Sequence, residues 1–368
     1  MPDRQEAATL EAYLRHRTIP GALCERLEEN RIRCLACAHR CVIPNGRSGI
    51  CKVRFNRDGE LRVPYGYVAS VQFDPIEKKP FFHALPGALA LSFGILGRDY
   101  HCSFCQNWIT SQALRDEAAG SPVKDVSPEL MVNRAVEVGA QVVTSTYNEP
   151  LITSEWAVAV FELAHEVGLM TSFVSNGNAT PEVLAYLAPH LDYFKVDLKA
   201  FTKQAYREVG GRLEPVLEAI RMLWEMGKWV EVVTLLIPGM NDSDGEMAEM
   251  AGFLAGVSPD IPWHVTAFRP EYRLHSPGST PLESLKRGVR HGREAGLHHV
   301  YAGNMPGLVG DAEHTRCPSC GKIVIERYGF RILSYRLEGS RCPHCGGELA
   351  GRWPSEPIRQ ESSIPFLL

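Results

Sequence analysis

The chain lacks a basic surplus: 39 Lys and Arg face 43 Asp and Glu among its 368 residues, a formal net charge of −4. That balance argues against nucleic acid or an anionic membrane as a main partner. No segment approaches the ~18 uninterrupted apolar residues that a spanning helix needs. The first residues, MPDRQEAATLEAYLRHR, alternate charge with short apolar stretches and offer no signal-peptide centre. Internal repeats and low-complexity tracts are also missing. With 45% hydrophobic and 22% charged residues, the expectation is a cytoplasmic globular protein with no nucleic-acid and no membrane partner.

Cysteine is what the chain does have. Of 11 cysteines, ten fall into three tight groups: Cys34, Cys37, Cys41 and Cys51; Cys102 and Cys105; and Cys317, Cys320, Cys342 and Cys345. A disulfide scaffold would be short and secreted, whereas close spacing in a large intracellular chain points to metal or cluster ligation. The remaining Cys24 lies in LCERLEEN, which reads as helix, and there it would be a small buried residue.

Residues 1–30 read as helical and residues 31–60 as a Gly- and Pro-punctuated Cys module. Short β-branched runs then recur at 91–96, 141–146, 170–175, 192–197, 230–236, 263–268 and 298–303. Stretches of helical periodicity separate them, several ending in Gly. This alternation predicts an α/β fold, a parallel sheet covered by helices, with six or seven units forming an open or partial barrel. The expected domains are 1–64 (helix and Cys module), 65–310 (barrel) and 311–368 (second Cys module and tail, with QESSIPFLL extended or frayed). Chemistry in such folds gathers at the C-terminal strand ends. Polar residues fall there: Arg98–Cys105, Asn148 and Glu149, 175–178, Asp197 and Lys199, 238–242, Arg269 and Glu271, and Asn304.

The segment GRDYHCSFCQNW (97–108) follows the first of these strands and places Phe104 before the second Cys of a C-x-x-C. Read alone, it also admits an inert C-x-x-C or a small zinc site. It resembles the radical S-adenosylmethionine superfamily, whose hallmark is C-x3-C-x2-C with an aromatic residue before the last Cys. More narrowly, the chain is similar to the radical member of the AmmeMemoRadiSam trio, relatives of pyruvate formate-lyase activating enzyme. The matching pieces run in order from CLACAHRCVIPNGRSGICKVR (34–54) through DPIEKKPFFHALPG (74–87), TYNEP (146–150), SNGN (175–178) and KVDLKAF (195–201) to CPSCG…CPHCGG. The resemblance implies a (β/α)6-type partial barrel with a 4Fe-4S cluster and S-adenosyl-L-methionine, cleaved reductively to a 5′-deoxyadenosyl radical for hydrogen abstraction. It also implies a protein substrate, a low-potential electron donor and the other two proteins of the trio as partners.

One departure is sharp: Arg98 stands where the first cluster Cys belongs. A guanidinium stays protonated and offers no ready lone pair, and Asp99, His101 and Cys24 are poorly spaced to replace it. The expectation is little intact cluster, with a non-catalytic, zinc-braced scaffold for partner proteins as the rival to the enzyme.

By resemblance, Glu149 would bind the cofactor's ammonium, with Asn148 beside it, and Phe104 would lie against the cofactor. Asn176 would approach its ribose or carboxylate, with Gly177 permitting close backbone approach. Asp197 and Lys199 alternate with Val196 and Leu198, so both point to the barrel mouth as candidate catalytic residues; a mutually neutralising structural pair reads the same way. Cys317, Cys320, Cys342 and Cys345 form two Gly-followed knuckles, as in a structural zinc ribbon, a rubredoxin-like iron site or an empty thiol set. Cys34, Cys37, Cys41 and Cys51, spaced C-x2-C-x3-C-x9-C, suit zinc, an auxiliary iron–sulfur cluster or no metal. His39 and His83 are candidates to support those ligands.

Overall fold

The computed structural model describes residues 10–116, 118–120 and 122–365. Seven parallel strands form its centre: β1 (Leu89–Gly94), β2 (Val142–Ser145), β3 (Met170–Ser175), β4 (Tyr193–Asp197), β5 (Trp229–Leu236), β6 (Trp263–Ala267) and β7 (Val300–Gly303). They lie side by side in chain order, each parallel to the next. Every residue of β1, β2 and β6 is buried, as both faces of a helix-covered parallel sheet require. The sheet stays open. At the β1 edge, Ser70–Pro75 adds antiparallel, and Ile364–Pro365 pairs antiparallel to that strand, Ile364 opposite Phe73. The expected open barrel is what forms; of the tail, residues 364–365 are extended and residues 366–368 lie outside the described residues.

Helices α1 (Pro128–Val138), α2 (Ser154–Glu166), α3 (Pro181–Leu187), α4 (Leu213–Glu225), α5 (Asp244–Val257) and α6 (Leu282–Glu294) connect the strands. Their starts are written locally. Ser127, Thr180 and Ser243 accept hydrogen bonds from the backbone N–H of Leu130, Val183 and Glu246. Gly139 ends α1 in the left-handed region at φ 76°.

The N-terminal reading needs correction. Among the described residues, helix spans only Leu10–Arg15, and residues 1–9 lie outside them. Pro20 and Gly21 interrupt any helical continuation. Thr18–Pro20 and Cys24–Arg26 are strands, and Cys24 pairs across from Cys34. Cys24 is therefore a half-buried strand residue. This layer is pinned to α2 by a buried bidentate pair: Arg54 Nη1 and Nη2 donate to Glu155 Oε2 and Oε1 at 2.7 and 2.8 Å. At the other end, Thr315–Arg316, Ile323–Tyr328 and Arg331–Tyr335 form an antiparallel sheet, with Cys317 and Cys320 in its first turn and Cys342 and Cys345 in the segment that follows it.

Candidate active site

The loop after β1 and the end of β4 face each other across a cavity of about 330 Å³. Arg98, Cys102, Phe104 and Cys105 line it from the loop, and Lys195, Asp197 and Lys199 from β4. Gly97 sets the loop's course. Its φ is 96°, and a Cβ there would lie 2.8 Å from Val53 Cγ1 and 2.9 Å from the Cys51 carbonyl oxygen. Only glycine lets the loop press this closely on the N-terminal layer. Burial pushes the Cys102 thiol up to about 11. Cys105 Sγ lies 3.2 Å from Ser111 Oγ.

Arg98 occupies the cavity with these two thiols. It is 8% exposed, and its Nε has no hydrogen-bond partner. Burial works against its charge, but Cys105, Glu149, Cys102 and Asp197 together hold the guanidinium more firmly protonated than usual.

Glu149, Asn148, Asn176 and Gly177 do not line the cavity; they form a buried layer behind it. Glu149 caps the turn Pro150–Thr153 by accepting from Leu151 N–H. It also accepts from Ser175 Oγ at 2.6 Å and Asn176 N–H at 2.9 Å. Burial, with Asp99 adding, raises its carboxyl to about 7, against the pull of Arg98 and these hydrogen bonds. Asn148 Nδ2 donates to the Glu149 carbonyl. Asn176 and Asn178 both donate to Asp99, at 2.8 and 2.9 Å. Asp99 is thus the strap between the β1 loop and the SNGN turn. Gly177, at φ 72°, sits where a Cβ would meet Val196 Cγ1 at 2.7 Å.

On β4 the alternation that aims Asp197 and Lys199 at the cavity also aims Lys195 there, a residue the motif reading passes over. Asp197 pairs with Lys195 and, at 2.8 Å, with Lys199. Burial alone would raise its carboxyl; the two ammonium groups drive it well below the ordinary range. A second triad sits at the mouth: Lys79 Nζ donates to Asp74 at 3.0 Å and to Tyr147 Oη at 3.1 Å, and Lys78 also donates to Asp74. Burial is outweighed there too, and Asp74 falls to about 2. Chain segments 70 residues apart build this triad, so no local motif announces it. Arg269 and Glu271 stay outside the cavity, while Asn304 joins its lining.

The last four cysteines converge. Cys317 and Cys345 sulfurs are 3.6 Å apart, Cys320 and Cys342 sulfurs 3.8 Å, and all four lie within 4.8 Å of one another. A tetrahedral site with ~2.3 Å metal–sulfur bonds sets sulfurs roughly 3.8 Å apart, so these thiols can hold a metal ion. Among the described residues, Cys34, Cys37, Cys41 and Cys51 do not converge in this way. They remain neighbours: burial raises the Cys37, Cys41 and Cys51 thiols, and the charge of Cys34 adds to that effect at all three. His39 packs edge-on against Tyr100 beside that group. His83 sits elsewhere, in the core between Tyr301 and the Ala350 carbonyl.

The family model described as the radical SAM superfamily matches residues 99–251. An uncharacterized protein of Methanocaldococcus jannaschii is 35% identical over 88% of this chain and 97% of its own length. The pyruvate formate-lyase-activating enzyme of Streptococcus mutans is 22% identical over 52% of this chain and 76% of its own. The choline trimethylamine-lyase activating enzyme of Oleidesulfovibrio alaskensis is 27% identical over 53% of this chain and 57% of its own. These relatives support an enzyme of the activating-enzyme kind. No helix among the described residues is long and apolar enough to cross a membrane.

Proposed function

Because the chain belongs to the radical S-adenosylmethionine superfamily, we propose that its strand-end cavity is built for activase-like chemistry and that Arg98 withholds that chemistry from this copy. In the full reading, Cys102 and Cys105 would help hold a 4Fe-4S cluster that, when bound, would supply reductive cleavage of S-adenosylmethionine for hydrogen abstraction from a protein substrate, the electron coming from a low-potential donor. In this reading Cys102, Cys105 and Phe104 would serve the cluster loop, and Glu149, Asn148, Asn176 and Gly177, in the layer behind the cavity, would serve the cofactor. Asp197, held ionised between two lysines, would fix charge at the substrate side. The remaining two members of the AmmeMemoRadiSam trio are the partners this reading calls for.

A single observation carries the second half of the proposal. The cavity offers two thiols and a permanent cation, and that donor set does not fit a cluster that takes three anionic soft donors. No step is drawn through the cluster for the chain as it stands. The burial of Arg98 favours the rival reading, a zinc-braced scaffold without redox chemistry.

Anaerobic reconstitution of the wild-type and Arg98→Cys proteins with iron and sulfide tests this. After counting iron, dithionite and S-adenosylmethionine are added and 5′-deoxyadenosine is sought by chromatography. The expected result is little iron and no nucleoside from the wild type, and a full cluster with nucleoside from Arg98→Cys. Nucleoside from the wild type would mean that another group completes the site. An Arg98→Cys protein without iron would make the C-x-x-C structural and end the radical reading.

A further inference from the structure

Arg98 is a cation with nothing to hold. Only 8% of it is exposed, its Nε has no partner, and no ion pair among the described residues includes it. A guanidinium presents five donors in a planar fork and keeps its charge, so leaving it unmatched in a buried site is costly. Cys105, Glu149, Cys102 and Asp197 favour its charge without pairing to it, and none of the nearby carboxylates is free to do so. Lys195 and Lys199 share Asp197; Lys78 and Lys79 share Asp74. Five cations therefore face two carboxylates. Asp99, next in the chain, is engaged by Asn176 and Asn178. Glu149 is engaged by Ser175, Asn176 and Leu151, and its burial favours the neutral form. His264, on the far wall, is matched by Glu231 at 2.7 Å. Between these charges the cavity lining is mixed, with Phe82, Phe104, Val174 and Leu235 giving it apolar patches beside polar residues such as Asn107 and Thr266.

We propose that this cavity binds a small oxyanion, a carboxylate or phosphate carried on an apolar or aromatic body, with Arg98 gripping the oxyanion and Lys195 and Lys199 completing the charge. The guanidinium fork matches either oxyanion in bidentate fashion, and the apolar patches take the body. S-adenosylmethionine, with a sulfonium and an ammonium against one carboxylate, has the wrong overall sign for a cavity already short of anions. The inference goes beyond the radical reading and is independent of whether Arg98→Cys assembles a cluster, because it concerns the residue the chain carries.

Calorimetric titration of the full-length protein with phenyl phosphate, benzoate, inorganic phosphate, neutral benzyl alcohol and S-adenosylmethionine tests it. Phenyl phosphate or benzoate should bind one equivalent, more weakly as salt rises. Arg98→Gln should weaken that binding about tenfold or more, and Arg98→Lys should recover part of it, since the charge returns without the fork. Inorganic phosphate set against phenyl phosphate measures what the body adds, and benzoate set against phenyl phosphate identifies the head group. A second readout guards against a folding artefact: without ligand, Arg98→Gln should melt at or above the wild-type temperature, because an unmatched buried cation has been removed. The proposal is overturned if no anion binds, if Arg98→Gln binds as tightly, or if benzyl alcohol matches benzoate. It is equally overturned if S-adenosylmethionine binds more tightly than every anion, or if Arg98→Gln lowers the melting temperature or fails to fold, since Arg98 would then already have a structural partner.

Discussion

Gly177 shows how narrowly a single position can be fixed. It sits in the left-handed region with Val196 Cγ1 in the way of any Cβ. Gly177→Ala therefore combines a backbone penalty with a clash and should cost about 2 kcal/mol or more, read as a lower urea midpoint with an unchanged denaturant slope. A loss under about 0.5 kcal/mol, the range of ordinary surface changes, would mean that the turn relaxes freely. Residue-level legibility was uneven for physical reasons. The parity that aims Asp197 and Lys199 also aims Lys195, so that residue was available from alternation alone. The sharing of Asp197 by both lysines was not, because pairing depends on rotamers. Asp99 looked like a failed substitute for a missing ligand; its role as a strap depends on two asparagines nearly 80 residues away.

Among the elements, the seven parallel strands were legible because a strand buried on both faces must be a continuous apolar run. Three of the helices between them carry their own side-chain caps, Ser127, Thr180 and Ser243. Residues 16–30 misled because charge alternating with apolar residues suits a helix and a short solvated strand alike. There the long-range pairing of Cys24 with Cys34 decided the outcome. The C-terminal knuckles were legible from spacing, since two C-x2-C turns that both leave their thiols pointing inward pack most readily on a shared ion. Cys342→Ser removes one of four converging thiols and should lower both the yield of folded protein and the bound metal, because metal binding to such a module is coupled to its folding. Metal analysis alongside thermal melting checks this; full metal content in the variant would show that Cys342 is not a ligand.

For the whole molecule, buried ionisable groups outside the cavity set the response to pH. Glu77 is fully buried, accepts from Gly87 N–H and Gln360 Nε2, and has its carboxyl pushed from 4.5 up to about 7 by burial, against the pull of Arg327. The folded chain keeps this proton up to about pH 7 while the unfolded chain releases it near 4.5. The native state binds more protons in that window, so this group's contribution to stability falls as pH rises through it. His299, lowered by burial to about 3, acts oppositely, adding stability as pH rises toward its ordinary 6.5. Comparing urea midpoints of wild type and Glu77→Gln at pH 5 and pH 8 isolates the carboxyl. The variant's stability relative to wild type should improve by on the order of 2 kcal/mol between the two. No change in that difference would show that Glu77 titrates normally.

The two-residue ladder at the sheet's edge has a dynamic consequence. Ile364–Pro365 is held to Ser70–Pro75 by a short pairing, and Ser363 lies between Lys78 Nζ at 2.6 Å and Asp74 Oδ1 at 2.8 Å. Sparse contacts open at low free-energy cost, so amide hydrogen exchange should be faster on this outer strand than on β1. Each opening frees the Ser363 hydroxyl from the Asp74 pair and leaves Lys78, a cavity-lining cation, with one restraint fewer. The charge at the cavity mouth would then fluctuate with the fraying of the sheet's outermost strand.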